Sequence, residues 1–174
     1  MNNFASIKPL FKFKTVAYYS VCLEDNDVTL YQEFVEKHTL ENKNKLYHIQ
    51  KWLKLIGEKY GAQNRFFRNE ARNADTSALP PIGKDQKPYY VEYGKNKANN
   101  LRLYCLKANL NVVFLFSGDI KTTQKAQDCP NVRKHFNLAN TLTKAIDNAF
   151  REGDIIWNKD CTLIKCDEDF ILYY

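Results

Sequence analysis

The amino-acid sequence predicts an α+β fold, in which an antiparallel sheet carries an N-terminal helical hairpin and a C-terminal helix. Two segments near the N-terminus, 28–38 and 42–61, place apolar residues at helical spacing. Three later segments have the pattern of short strands: 89–94, 99–108 and 111–118. Another helical pattern follows them, and helices grouped before and after a run of strands are typical of this class.

The length and composition of the chain predict a single domain that spans residues 1–174. With 44% hydrophobic and 14% aromatic residues, the chain can bury one core, and no segment is long and apolar enough to cross a membrane. The first residues lack the apolar run of a secretory signal, which favours the cytoplasm. A net charge of +6 permits nucleic-acid binding without requiring it.

The five cysteines indicate neither a disulfide framework nor a zinc site. Their number is odd and no two of them form a CxxC pair. We therefore expect reduced thiols, with Cys105 as a small core residue. The sequence contains no HExxH, P-loop or dinucleotide-binding motif, so it predicts no metal and no cofactor.

The N-terminal third predicts a strand followed by the two hairpin helices. Residues 11–25 are rich in aromatic and β-branched side chains and end at an acidic, Asn-containing turn. In the second helix, apolar residues repeat at helical spacing while lysines occupy the other face, and Gly61 is placed to end the helix. We expect this hairpin to pack on the first strand.

The segment 62–88 is predicted to be a long loop, because it is polar and contains a pair of prolines. Near its start, Arg65, Arg68 and Arg72 stand at helical spacing. Two interpretations of these arginines stay open. They form one basic stripe that binds RNA or an acidic protein segment, or they only face water.

Alternation along the strand 99–108 separates an apolar face from a polar one. Leu101 and Leu103 share one face, and Arg102 projects from the other. An arginine can pair two phosphate oxygens with its planar guanidinium and stays charged, so Arg102 is the first candidate for a phosphate contact. The alternative is a structural arginine that pairs with Glu92 or with a C-terminal acid.

A basic, hydroxyl-rich turn, IKTTQKAQDCP, connects the last strand to the last helix. In it, Lys121 and Lys125 flank Thr122 and Thr123. Their ammonium and hydroxyl groups, together with N–H groups at the helix start, could converge on a phosphate. The alternative is a solvated basic turn.

The last helix is predicted to start at Pro130 and to stop at Gly153, with one apolar stripe between them. His135, in its first turns, is a candidate acid or base; the alternative is a partly buried surface histidine. Residues 154–174 are predicted to form a C-terminal strand extension.

The order of these elements resembles that of the RelE/HigB-like toxins of type II toxin–antitoxin systems. The resemblance is strongest over 99–139, where LRLYC resembles the family strand that carries an Arg before Leu or Val and Tyr. KTTQKAQDCP, followed by a helix with Ala139, is similar to the HigB-type pattern of Lys, Thr, Gln, Lys and Pro before a helix. The chain is longer than most family members in its helical region, its loop and its C-terminal extension.

The resemblance implies a RelE-like fold with extensions and the function of a toxin. This toxin would be an mRNA interferase, a metal-independent endoribonuclease that usually depends on the ribosome. Its partners would be a cognate antitoxin protein and mRNA or the ribosome, with no small-molecule cofactor and no membrane. Catalytic roles would fall to Arg102, Lys121, Lys125 and His135. RNA binding would involve Arg65, Arg68, Arg72, Thr122 and Thr123.

Two other functions stay open on the same fold. One is a non-catalytic RelE-fold protein that keeps a basic surface for RNA or for a protein partner. The other is a ParE-like toxin directed at DNA gyrase. The general base of a cleavage reaction cannot be assigned from the sequence.

Overall fold

One seven-stranded sheet separates two apolar clusters in the computed structural model, which describes residues 2–70 and 75–174. The strands are β1 (Phe4–Lys12), β2 (Ala17–Leu23), β3 (Arg68–Asn69), β4 (Thr76–Leu79), β5 (Tyr90–Glu92), β6 (Lys95–Lys97), β7 (Leu103–Lys107), β8 (Val112–Leu115), β9 (Ile156–Trp157), β10 (Ile164–Lys165) and β11 (Leu172–Tyr173). The α-helices are α1 (Leu30–Glu41), α2 (Lys43–Leu55) and α3 (Arg133–Glu152).

The sheet has the spatial order β11-β1-β2-β8-β7-β4-β3. Its neighbouring strands are antiparallel, except that β2 and β8 run parallel. The predicted α+β class with a mostly antiparallel sheet is therefore confirmed. None of the helices in the described part of the chain is both long and apolar enough to span a membrane.

The helical hairpin of α1 and α2 covers one face of the sheet. α1 begins at a capping box, in which Thr29 and Gln32 each accept a hydrogen bond from the backbone N–H of the other. α2 continues into a π-helical turn, Ile56–Tyr60, which Gly61 ends with a φ of +73°. The apolar stripe of α2 lies against the β7 residues Leu103 and Cys105.

α3 and the C-terminal strands cover the opposite face. The buried side of α3 packs against Tyr104 and Phe114 of the sheet, and Gly153 ends the helix in the left-handed conformation. The predicted alternation along β7 is therefore confirmed, since Leu103 and Tyr104 lie on opposite faces. All five cysteines are free, and Cys105 is fully buried.

The strand prediction is corrected at two places. Tyr90–Glu92 does not join the central sheet but pairs only with Lys95–Lys97 in a separate ribbon. The strand beside β7 is instead Thr76–Leu79, inside the segment 62–88 that was predicted to be a loop. The sequence TSAL carries little strand propensity, so its conformation is imposed by pairing with β7 over four residues.

Candidate functional site

Basic side chains gather around one carboxylate at the edge of the sheet. The carboxylate of Glu70 accepts a hydrogen bond from Lys121 Nζ at 2.9 Å and lies 3.7 Å from Arg102 Nε. The three side chains are only 9–10% exposed. Arg68 of β3 and Tyr104 of β7 flank Ala78 of β4 in the sheet register, so their side chains lie on the same face of the sheet. These five residues, Arg68, Glu70, Arg102, Tyr104 and Lys121, form what we call the Glu70 cluster.

Backbone pairing explains why Arg102 and Lys121 meet. Beyond β7 and β8 the two chain segments stay paired, so that Arg102 N–H donates to the Asp119 carbonyl at 3.0 Å and Lys121 N–H donates to the Asn100 carbonyl at 2.8 Å. Gly118 permits this approach, because a Cβ there would overlap the backbone carbonyl of Arg102. The pairing sets both cations beside Glu70.

Arg102 is a buried cation whose Nε is buried without a hydrogen-bond partner in the described part of the chain. Burial lowers the pKa of its guanidinium to about 10, and the neighbouring charge of Arg68 lowers it too, while Glu70 opposes the change. The group is therefore still charged at neutral pH. Its Nη1 donates to the carbonyls of Asn99 at 2.7 Å and Leu101 at 3.2 Å, whereas Nε has no hydrogen-bond partner among the described residues.

Arg68 is the third cation of the cluster. Its Nε donates to the Pro80 carbonyl at 2.7 Å and its Nη2 to the Pro81 carbonyl at 3.3 Å, which fixes the guanidinium at the sheet edge. Burial lowers its pKa, and the charge of Glu70 raises it. Three cations around one carboxylate leave two positive charges uncompensated within the cluster. Such an excess favours an anionic ligand.

Tyr104 adds a hydroxyl to the cluster. The side chain is fully buried, and its hydroxyl has no hydrogen-bond partner in the described part of the chain. Burial raises the pKa of the phenol, and the charge of Glu70 raises it further. The hydroxyl is therefore protonated at neutral pH and free to donate a hydrogen bond.

The structure adds Glu70 and Tyr104 to the candidates predicted from the sequence. Tyr104 stands two positions after Arg102 on the same strand, so the alternation of the strand already placed both on one face. Glu70 carries no such signal. It lies just after β3, in the segment predicted to be a loop, and reaches the cluster only through tertiary contacts.

The basic turn contributes only Lys121 to the Glu70 cluster. Lys125 is exposed, and its carbonyl accepts a hydrogen bond from the hydroxyl of Thr123 at 2.7 Å. Thr122 directs its N–H towards Cys129 Sγ at 3.4 Å. The side chains predicted to converge on one phosphate are thus distributed over two environments, one buried and one solvated.

The buried side chain of Cys129 contacts the basic turn through the N–H and the hydroxyl of Thr122. The Cys129 side chain is fully buried, and burial alone raises the pKa of a thiol. Hydrogen bonds from Thr122 and from the N–H groups of Val132 and Asn131 outweigh that effect and lower the pKa of Cys129 to about 7. The backbone carbonyl of Cys129 anchors the start of α3, because it accepts hydrogen bonds from the N–H groups of Val132 at 3.3 Å and Arg133 at 3.0 Å.

The helical stripe, one of the two open interpretations of these arginines, does not form between Arg65 and Arg68. Arg65 lies in a short 3-10 turn, with its guanidinium over the rings of Tyr60 and Phe66, whereas Arg68 lies in β3. Residues three apart share a face only within a helix, and the pairing of β3 with β4 holds Arg68 in an extended conformation. Arg65 and Arg68 therefore do not belong to one helical face. Arg72 lies outside the described residues.

His135 is held as a neutral imidazole near the end of β8. Its Nδ1 lies 2.8 Å from the hydroxyl of Ser117, and its Nε2 is buried without a partner among the described residues. Burial lowers the pKa of His135 to about 4, and the charge of Lys134 lowers it as well. A group with this pKa carries almost no proton at neutral pH, so it is poorly suited to act as a general acid there.

Acid is expected to destabilise the fold partly through His135. The pKa of His135 is 6.5 in the unfolded chain and about 4 in the folded chain. The neutral imidazole therefore makes its full contribution to the free energy of unfolding above pH 6.5, and this contribution is lost as the pH falls towards 4. The loss amounts to at most about 3 kcal/mol. Urea unfolding at neutral pH and at about pH 4.5 should show a smaller pH dependence for His135→Gln than for the wild type. The same pH dependence in both proteins would contradict this assignment.

Comparison with protein-family models, with curated proteins and with solved structures finds no match to this chain. The chemistry of the site therefore rests on its own residues. Among the described residues, no three His, Cys, Asp or Glu side chains come together in a way that would hold a metal ion. The Glu70 cluster instead offers a carboxylate as a base, positive charge for an anion, and free N–H and O–H donors.

Proposed function

We propose that the chain is the toxin of a type II toxin–antitoxin system, and that it cleaves RNA in the cytoplasm at the Glu70 cluster without a metal ion. The observation that carries this proposal is the Glu70 carboxylate held between Lys121 and Arg102 in a site with excess positive charge. RNA cleavage without a metal needs a base for the 2′-hydroxyl, positive charge on the phosphate and an acid for the leaving oxygen. The cluster contains a group for each of the first two tasks, and water supplies the acid.

Glu70 takes the proton from the 2′-hydroxyl, whose oxygen then attacks the adjacent phosphorus. Arg102 and Lys121 stabilise the negative charge that develops on the phosphate oxygens. The bond between phosphorus and the 5′-oxygen breaks, and that oxygen takes a proton from water. The products are a 2′,3′-cyclic phosphate and a 5′-hydroxyl end.

The arrangement of the chain supports the same proposal. A strand, a helical hairpin, three antiparallel strands and a helix occur in the order β2, α1, α2, β4, β7, β8 and α3, with β1 before them and with β3, β5 and β6 as additional strands within this order. This is the order that the resemblance to RelE/HigB-like toxins implies. The proposal includes an antitoxin protein as the partner that keeps the site inactive, and translated mRNA as the substrate.

A non-catalytic protein of the same fold is the second candidate. The observation that favours it is the burial of the cluster, together with the hydrogen bonds from Arg102 Nη1 to two backbone carbonyls. A structural ion-pair network would make the same contacts. The two candidates differ in whether the wild-type protein breaks RNA.

Induced expression of the wild-type chain is expected to stop growth and to fragment translated mRNA. Arg102→Ala should relieve both effects, because it removes the charge that stabilises the phosphate. Arg102→Lys keeps a charge but loses the planar fork, so it should give partial relief. The readouts are culture density and the length of defined transcripts.

Arg151→Ala is the matched control, since Arg151 is exposed at the end of α3. It should stay toxic. Thermal unfolding of each purified variant separates loss of the site from loss of the fold. Normal growth with intact transcripts at high expression of the folded wild type would favour the non-catalytic candidate.

A further inference from the structure

The net positive charge of the chain is concentrated in two neighbouring segments. α2 contains four lysines and no acidic residue, and the segment 84–97 contains four lysines and two acidic residues. Of the 26 basic side chains these segments hold 8, and of the 20 acidic side chains they hold 2, which leaves 18 of each elsewhere. The two segments therefore account for the entire net charge of +6.

The lysines of α2 form a stripe on its solvent face. Lys43, Tyr47, Lys51 and Lys54 follow one another at intervals of four, four and three residues, and all four side chains are exposed. The ammonium of Lys43 lies 5.6 Å from the centre of the Tyr47 ring. α2 covers the face of the sheet opposite to α3, whereas Tyr104 of the Glu70 cluster lies on the α3 face.

The segment 84–97 extends this stripe. It is attached to α2 by a hydrogen bond between His48 Nε2 and the Pro88 carbonyl at 2.9 Å. An open groove of about 380 Å³ runs between the two segments, lined by Lys51, Lys54, Leu55, Glu58, Lys87 and Pro88. Lysines from both segments therefore border one continuous depression.

Exposed aromatic rings continue from this groove along β5. Tyr89 is 38% exposed and Tyr93, at the turn of the ribbon, is 92% exposed, with Val91 between them at 51%. The ammonium of Lys87 lies 6.0 Å from the centre of the Tyr89 ring. The surface thus alternates positive charges with one partly exposed aromatic ring, Tyr89, and one largely exposed ring, Tyr93.

We infer that this surface, formed by the solvent face of α2 and by residues 84–97, binds single-stranded RNA. Sites for single-stranded RNA have two components: positively charged side chains that contact the phosphate backbone, and aromatic rings that stack on the bases. Unpaired bases are found mainly in the loops, bulges and ends of RNA. Lysine is depleted at protein–protein interfaces, so a surface this rich in lysine favours a polyanion. The inference does not depend on the proposed cleavage activity.

The test is a salt titration of binding to a fluorescent oligo-uridine with 2′-O-methyl groups, which cannot be cleaved through its 2′-hydroxyls. If Lys43, Lys51, Lys54 and Lys87 each contact one phosphate, their joint change to Gln should flatten the slope of log K against log salt by about 2.8 units, at about 0.7 per contact. The matched control changes four exposed lysines on the other side of the sheet to Gln: Lys134, Lys144, Lys159 and Lys165. The control should flatten the slope by less than about 0.7.

Tyr93→Asn tests the stacking component. Asn tolerates the φ of +52° at this position, so the turn should be retained. We expect about 5- to 100-fold weaker binding with an unchanged salt slope, because stacking on a base involves no counterion release.

Equal slopes for the two lysine variants, or no binding of the oligo-uridine at low salt, would overturn the inference. Tighter binding of a poly-glutamate peptide through the same four lysines would also overturn it, since the surface would then fit an acidic protein segment. Because the 2′-O-methyl probe cannot be cleaved, its binding is measured separately from the proposed cleavage activity. A failure of the proposed cleavage activity would therefore leave the salt titration unaffected, and the two outcomes are distinguishable.

Discussion

Glu70→Gln is expected to slow RNA cleavage by about 10²- to 10⁴-fold, the usual contribution of a general base. Gln has nearly the same shape as Glu and can still accept the hydrogen bond from Lys121 Nζ that Glu70 accepts at 2.9 Å. It cannot take the proton of a 2′-hydroxyl. The measurement is the rate of cleavage of a defined mRNA in a translating extract, with the variant compared to the wild type.

The change also removes the only acidic side chain that lies within 4 Å of Arg102 and Lys121 in the described part of the chain. Urea unfolding must therefore accompany the rate measurement. Glu152→Gln, at the exposed end of α3, is the matched control and should cleave at the wild-type rate. A folded Glu70→Gln protein whose rate lies within about threefold of the wild type would exclude Glu70 as the base.

Gly118→Ala is expected to lower the free energy of unfolding by about 3 kcal/mol or more. The added Cβ would overlap the backbone carbonyl of Arg102, and backbone cannot rotate away as the end of a side chain can. The overlap can be relieved only by separating the paired segments that hold Arg102 and Lys121. Urea unfolding and the cleavage assay should therefore show both lower stability and lower activity.

Gly153→Ala is the control, because it measures the conformational cost of replacing a glycine without any steric overlap. Gly153 has a φ of +85° in the left-handed cap of α3, and no atom lies within 4 Å of a Cβ placed there. Only the conformational cost of about 1 kcal/mol is expected. A Gly118→Ala protein as stable as Gly153→Ala would contradict the close backbone approach at the site.

The helices were predictable from the sequence because local signals determine them. The apolar repeat of α2, with Gly61 after it, and the stripe of α3, with Gly153 after it, each carry their own stop signal. β4 lacks such a signal, since TSAL has neither alternation nor β-branched bulk at most positions. Its conformation comes from the β7 strand that it pairs with, which is distant in the sequence.

The candidate site was predictable only where one strand or one backbone pairing determines it. The alternation around Arg102 placed its side chain opposite Leu103, and the basic turn placed Lys121 after the last strand. The sequence could not predict that Glu70 is the partner of Arg102. Glu70 follows the edge strand β3, whereas Arg102 precedes β7, which lies two strands away in the sheet. Likewise, no local pattern shows that burial makes His135 neutral.

The most direct test of the central claim is cleavage of mRNA by the purified protein in a translating system, with the products analysed by their end groups. Completed cleavage reactions should contain 2′,3′-cyclic phosphate and 5′-hydroxyl ends. One 2′-deoxy nucleotide on the 5′ side of the scissile phosphate should abolish cleavage at that position, because it removes the attacking oxygen. Products with 5′-phosphate ends, or unchanged cleavage of the deoxy substrate, would contradict attack by the 2′-hydroxyl at the Glu70 cluster.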